Sequence, residues 1–374
     1  MNEEKINNST KKLKILVAPL DWGLGHATRC IPIIQTLLKH NTEVLLAAND
    51  PVKSLLEKEF PQVKMLVLDG YNIKYSRHKK LFLFNLLKQL PKVFSAIKVE
   101  TKWLQDIISE EGIDGIIADN RPGLHHAVIP CVYITHQLQI QTGNTVTDSW
   151  LRTIHYRFIN KFQQCWIPDN EKENIFAGTL SHPVSYPSIP HKYIGILSRF
   201  IKKEAQVKYD FLLLISGPEP QRTIFEKKLL KSFDQGSHSF AMVRGLPSEN
   251  KLLIIKNQNA IVFNHLSAID LNTLILQSKF VVARAGYSTI MDLVRLEKKA
   301  VLIATPGQTE QEYLAKYLND KGIFASIKQE DVSFENIREA AKKSITKMWG
   351  ENSLMREEVI TAWLKGLSQS RAAI

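Results

Sequence analysis

The sequence predicts an α/β protein built from two doubly wound parallel-sheet domains that face each other across a cleft. Short apolar runs of strand length alternate with segments of helical period in both halves of the chain. That is the pattern of parallel strands buried on both faces by the helices connecting them. The alternation breaks once, where Pro183, Pro187 and Pro190 fall close together, and then resumes. At 374 residues the chain also exceeds what one hydrophobic core ordinarily serves, so two domains are expected.

Residues 1–12 are polar and charged and read as a disordered tail. The first domain is expected over 13–193. Residues 13–19 read as a buried strand, followed by the turn Asp21-Trp22-Gly23-Leu24-Gly25-His26 and a helix with apolar period through Ile31, Ile34, Leu37 and Leu38. Residues 42–48 form the next strand, 51–60 a helix begun by Asp50, and 63–68 a third strand. A long helical period covers 81–110, and 115–118, 131–135 and 165–167 supply further strands. The linker is expected at 194–206, after the prolines. The second domain, over 207–348, repeats the logic with a strand at 211–215 and the turn Ser216-Gly217-Pro218-Glu219. Further strands follow near 239–243 and at 260–263, 280–283 and 300–304. Residues 334–348 and 354–367 read as amphipathic helices, and 349–374 are expected to end the chain as a C-terminal helix.

Composition narrows the function. With 44% apolar and 23% charged residues the chain has the make-up of a soluble globular protein. A net charge of +12 implies an acidic partner: nucleic acid, an anionic membrane surface or a phosphorylated substrate. Nucleic acid is disfavoured, because the cations are dispersed and come with neither a groove-reading motif nor an aromatic stacking platform. Cys30, Cys131 and Cys165 show no CxxC spacing, which argues for reduced core thiols in a cytoplasmic protein. The apolar run at 15–20 is too short for a signal sequence or a membrane span, and no other segment approaches the length. The segment 74–88 joins Lys74, Arg77, Lys79, Lys80 and Lys88 to Phe and Leu residues. It fits either a helix packing on the sheet with solvated lysines or one lying peripherally on the inner face of an anionic membrane.

Candidate chemistry gathers at strand-to-helix turns, which aim free backbone N–H groups and the positive end of a helix dipole at the cleft. In the first turn Gly23 and Gly25 allow tight backbone geometry and His26 stands where the helix begins. A neutral imidazole there could take a proton from an attacking hydroxyl; equally, it could cap or pack the helix start. Later, Arg284-Ala285-Gly286-Tyr287-Ser288-Thr289 opens a helix, with Gly286 permitting close approach of a ligand and Ser288 and Thr289 able to donate to phosphate. Asp292, one turn on, can accept from vicinal ribose hydroxyls, or else close a capping box with Thr289. Thr309-Glu310-Gln311-Glu312 fits the same box after the next strand.

The run Arg284 to Asp292, followed after a strand by Gln308-Thr309-Glu310-Gln311-Glu312-Tyr313, resembles the donor-binding signature of the bacterial N-acetylglucosaminyltransferase family that completes the lipid-linked peptidoglycan precursor. The Gly25-His26 turn is similar to that family's glycine-rich turn ending in histidine. The resemblance is closest over 280–316, weaker over 13–40, and architectural elsewhere. It implies two Rossmann-like domains of the GT-B type, an N-terminal acceptor domain and a C-terminal nucleotide-sugar domain. By the same resemblance Gly217, Arg284, Gly286, Ser288 and Thr289 surround the donor diphosphate and Asp292 holds the ribose. Gln308, Gln311 and Glu312 stand near the sugar, and the base rests near His265. The acceptor side would hold Gly23, Gly25, Asp119 and His136, with His26 as catalytic base. Departures are instructive: Asp21, Trp22 and Leu24 stand where the family is richer in small residues, His136 replaces an acidic residue, and Glu312 replaces a glutamine. They imply a relative with another acceptor.

No Asp-x-Asp occurs, and neither the His125-His126 pair nor His136 has added acidic or cysteine ligands at metal-site spacing, so neither a metal nor another cofactor is expected. The expected function is therefore an inverting, metal-independent transfer of sugar from a nucleotide-sugar donor, UDP-linked by resemblance, to an unidentified acceptor that could be lipid-linked. Two rivals share the architecture: a nucleotide-sugar 2-epimerase, and a subunit that binds sugar nucleotide without catalysis.

Overall fold

The computed structural model describes residues 12–71, 82–234, 238–251, 253–344 and 354–372. Most of the N-terminal tail and of the basic segment 74–88 lies outside these residues, apart from the backbone of a helix that starts at Phe82. No helix among the described residues is long and apolar enough to cross a membrane.

The N-terminal domain contains β1 (Lys14–Pro19), α1 (Leu24–Lys39), β2 (Glu43–Ala48), α2 (Val52–Glu59), β3 (Lys64–Val67), α3 (Phe82–Glu111), β4 (Gly115–Asp119), β5 (Cys131–Ile134), α4 (Thr145–Ile159), β6 (Gln164–Ile167) and β7 (His191–Tyr193). Its seven strands are all parallel, in the order β3-β2-β1-β4-β5-β6-β7. Chain reversal between neighbouring parallel strands requires a crossover, and the helices between them supply it while covering both faces. The central strands are apolar throughout for that reason: Ile15, Leu16, Val17 and Ala18 of β1 and Ile116, Ile117 and Ala118 of β4 are all fully buried.

The second domain follows with β8 (Tyr209–Leu214), α5 (Gln221–Phe233), β9 (Phe240–Val243), β10 (Ala260–Phe263), α6 (Ala268–Leu276), β11 (Ser278–Ala283), α7 (Tyr287–Arg295), β12 (Lys299–Leu302), α8 (Thr309–Asp320), β13 (Ala325–Ser326) and α9 (Phe334–Lys343). Its six strands are also parallel, in the order β10-β9-β8-β11-β12-β13. The last helix, α10 (Glu357–Ala372), returns to the first domain. Trp363 of α10 meets Trp166 of β6 edge-on at 5.6 Å, and Arg371 pairs with Asp114 at 3.3 Å. A Cβ on Gly115 would stand 2.8 Å from both Trp363 and Leu367, so the glycine at the start of β4 is what lets α10 dock.

The proline cluster leads into β7, the edge strand of the first sheet, and the segment after it, 194–208, connects the domains. One feature departs from the sequence reading. The helix expected over 334–348 ends at Lys343 within the described residues. One apolar core cluster runs from β1 and α1 through Trp166 and Phe176 to Tyr287, Ile290 and Leu314, so the domains share a continuous hydrophobic contact beside the cleft.

Candidate active site

The register of the first sheet places Pro19 of β1 beside Asp119 of β4 at its carboxyl edge. Asp119 is fully buried there. Beyond β1, Gly23 adopts φ 89°, in the left-handed region, and turns the chain directly into α1. His26 and Arg29, three residues apart and therefore on one helix face, both reach Asp119. Nδ1 of His26 lies 3.2 Å from Asp119 Oδ1, Arg29 Nε donates to Oδ2 at 2.7 Å, and a second Arg29 nitrogen donates to Oδ1. The Cys30 thiol adds a contact at 3.5 Å.

Burial would push the Asp119 carboxyl up, but the charges of Arg29 and then His26 override it and hold it far below the usual carboxylate range. An ionised carboxylate only accepts, so the proton of neutral His26 sits on Nδ1 and Nε2 keeps its lone pair. Nε2 has no hydrogen-bond partner among the described residues, and part of the ring stays accessible. Burial first and the Arg29 charge second push His26 below its ordinary 6.5, with Asp119 opposing them. The imidazole is thus neutral at pH 7, with one nitrogen oriented and the other available.

The second domain faces this cluster with the N-termini of α7 and α8. Neither helix has a side-chain cap: the N-cap residues are Gly286 and Gln308, so both capping-box readings fail and backbone N–H groups remain at each start. Ser288 donates to the carbonyl of Gly25 at 3.0 Å, and a Cβ on Gly25 would stand 2.7 Å from the Ser288 hydroxyl oxygen. Glycine at 25 is therefore demanded by the approach of α7. His136, after β5, is buried against both helices: Tyr287 stacks on it at 4.2 Å and 12°, and its Nε2 lies 2.8 Å from Glu310 Oε1. Burial would raise the Glu310 carboxyl, but its bond to His136 and the nearby Arg29 charge hold it below its ordinary value.

The remaining expected site residues are placed less simply. Asp292 accepts from the hydroxyl of Ser198, in the connecting segment, at 2.5 Å; burial pushes it up to about 6 against that bond and the charge of Arg199. Thr289, Gln308 and His265 are partly or fully accessible at the same edge, and Gly217 is exposed in the loop after β8 with φ 109°. Burial and then the charges of Lys58 and Arg199 lower His265. Arg284 is a correction. Its guanidinium points into the domain, donating to the carbonyls of Ala304 and Gln221 and to Gln329, and lying 4.0 Å over Phe225. Such a side chain braces the loops after β8 and β12. Gln311 and Glu312 turn back to accept from the backbone N–H groups of Thr305 and Gly307, so Glu310 is the one that projects toward the first domain.

Arg29 and Glu310 were not singled out from sequence. The available signals were the i, i+3 spacing of His26 and Arg29, and the second-residue position of Glu310 on an uncapped helix. His125 and His126 do not join the cleft: each ring bonds its own loop, at the carbonyl of Pro122 and the N–H groups of Val128 and Ile129. A second buried polar cluster steadies the carboxyl edge of the first sheet. Arg121 donates to the carbonyls of Pro19 and Asp69 and to Glu100 at 2.7 Å, while Glu100 accepts from Tyr71 and from the N–H of Gly123. Among the described residues no group of three or more His, Cys, Asp or Glu side chains could hold a metal ion.

Residues 226–362 match the family model described as the glycosyltransferase family 28 C-terminal domain. This is a glycosyltransferase chain. The glycosyltransferase has the GT-B fold, as solved structures of low identity show. The calicheamicin glycosyltransferase CalG4 superposes with a TM-score of 0.66 at 9% identity, covering 97% of this chain and 100% of that one. The glycotransferase of kitacinnamycin gives 0.65 at 14% identity over 97% and 95%. UGT89C1 of Arabidopsis thaliana, solved with UDP-L-rhamnose, gives 0.58 at 12% over 96% and 95%. No curated protein matches the glycosyltransferase in sequence.

Proposed function

We propose that this glycosyltransferase moves a sugar from a UDP-sugar to an acceptor hydroxyl by one displacement at the anomeric carbon, with inversion and without a metal. The observation that carries the reading is the His26–Asp119 pair, which leaves Nε2 of a neutral imidazole free at the acceptor edge, opposite two uncapped helix N-termini. His26 takes the acceptor proton as the hydroxyl attacks, and Asp119 holds the tautomer and stabilises the imidazolium that forms. The departing diphosphate gathers negative charge where the N–H groups and dipoles of α7 and α8 converge. The solved complex of the Arabidopsis neighbour with UDP-L-rhamnose favours a nucleotide-sugar donor here. The acceptor's class rests on the resemblance to the lipid-linked precursor family, and the charge of +12 suits an acceptor presented at an anionic surface.

Asp292 supplies the test on the donor side. Its carboxylate already takes a hydroxyl hydrogen bond from Ser198, which is the interaction a ribose hydroxyl would make. Asp292→Ala is expected to weaken UDP binding, measured by calorimetry, by about 1–3 kcal/mol through loss of a charged acceptor. Unchanged affinity per folded molecule would mean that Asp292 serves only to tie down the connecting segment.

A further inference from the structure

An unbroken chain of polar contacts crosses the cleft and ends on the base. Glu310 Oε1 stands 2.8 Å from His136 Nε2, His136 Nδ1 stands 3.1 Å from an Arg29 nitrogen, and Arg29 holds Asp119, which in turn holds His26. One assignment satisfies every contact. Arginine can only donate, so Nδ1 of His136 accepts from it, and a neutral His136 then carries its proton on Nε2 and donates to Glu310. The ring is 4% exposed and held flat against Tyr287, whose hydroxyl donates to the carbonyl of Pro168 at 2.7 Å.

We propose that His136 is a positioning residue through which Glu310 of the C-terminal domain sets the basicity of His26. The inference rests on His26 being the base, as argued above. The groups facing His26 are Arg29 on its own helix, Asp119 from β4, His136 from the loop after β5, and Glu310 from α8. Arg29 weakens the base and Asp119 strengthens it. Glu310 lies within electrostatic reach of both His26 and Arg29, so its negative charge counters part of the Arg29 field and strengthens the base again. Because Glu310 belongs to the other domain and His136 fixes where it sits, His26 is a stronger base when the C-terminal domain is docked. Proton abstraction is thereby favoured in the closed cleft, where water is excluded.

The test is the titration of the His26 ring in the full chain, followed by nitrogen-detected NMR and assigned by the signal missing from His26→Ala. Glu310→Gln keeps the shape and the acceptor oxygen but removes the charge. It is expected to lower the His26 midpoint by roughly half a pH unit. His136→Phe keeps a ring for Tyr287 to stack on and deletes both nitrogens. In that background Glu310→Gln should move the midpoint by less than about a third as much, since the carboxylate is no longer held in place. A midpoint unmoved in Glu310→Gln overturns the coupling, and so does a full shift that persists without His136. Should His136→Phe fail to fold, the single Glu310→Gln variant still decides the first point. Turnover of His26→Ala judges the base reading separately. An unmoved titration with an inactive His26→Ala removes the coupling alone, and a moved titration with an active His26→Ala removes the base alone.

Discussion

His26→Ala is expected to lose about two to four orders of magnitude in sugar transfer, the usual cost of removing a general base. The same loss should appear in UDP release from UDP-glucose or UDP-N-acetylglucosamine with water in the acceptor's place. UDP affinity should be unchanged, because the residues proposed to bind the donor lie on the other domain, and the melting temperature should stay within a few degrees. Wild-type turnover should fall as pH drops through the His26 pKa, which lies below 6.5. The reason is that protonated Nε2 cannot accept the hydroxyl proton. Transfer by His26→Ala at more than about a tenth of the wild-type rate would place the base elsewhere, with His136 or Asp119 next to be examined.

Asp119→Ala carries the largest expected effect on stability. Arg29 and Asp119 are 2% and 0% exposed, so removing the carboxylate strands a buried guanidinium. Breaking a buried pair from one side costs about 3–5 kcal/mol, readable from urea unfolding at pH 7. The pH dependence has a definite sign. The folded Asp119 carboxyl is depressed, so its contribution is complete above the unfolded value near 3.8 and is lost as pH falls from there toward the folded value. The gap between wild type and Asp119→Ala should therefore narrow below about pH 4. Asp119→Asn, which keeps an acceptor for Arg29, should cost less stability yet still lose activity, since the amide does not stabilise the imidazolium.

How much of this was legible follows from what each residue does. The central strands were readable because both faces are covered, which makes 15–18, 116–118 and 281–283 continuously apolar. β7 escaped because its three residues, His191-Lys192-Tyr193, form a polar edge strand, and β13 has only two residues. α4 has a diffuse apolar pattern, although Asn144 marks its start by accepting from two backbone N–H groups. At the site, the glycine turn singled out His26, which the structure sets beside Asp119. The starts of α7 and α8 carry no side-chain cap.

Arg29 stayed hidden because a helical arginine usually reads as solvated, and only the strand-end carboxylate in another element shows that it is not. Glu310 was hidden inside a plausible capping box, whose neighbouring residues Gln311 and Glu312 turn out to brace the loop behind it. Arg284 was misread for the opposite reason. A motif arginine beside glycine suggests phosphate, yet burial beside Phe225 and bonds to Ala304, Gln221 and Gln329 commit it to the scaffold.

The central claim, that the cleft takes a nucleotide sugar, is tested most directly by the melting temperature of the full chain against UDP, UDP-sugars, ADP and inorganic pyrophosphate. Stabilisation by a bound ligand grows with the logarithm of its concentration and reaches about 2.7 kcal/mol at a hundred times its dissociation constant. UDP and its sugars should raise the melting temperature progressively and more than ADP or pyrophosphate do. A chain that no nucleoside diphosphate stabilises beyond pyrophosphate would contradict the account.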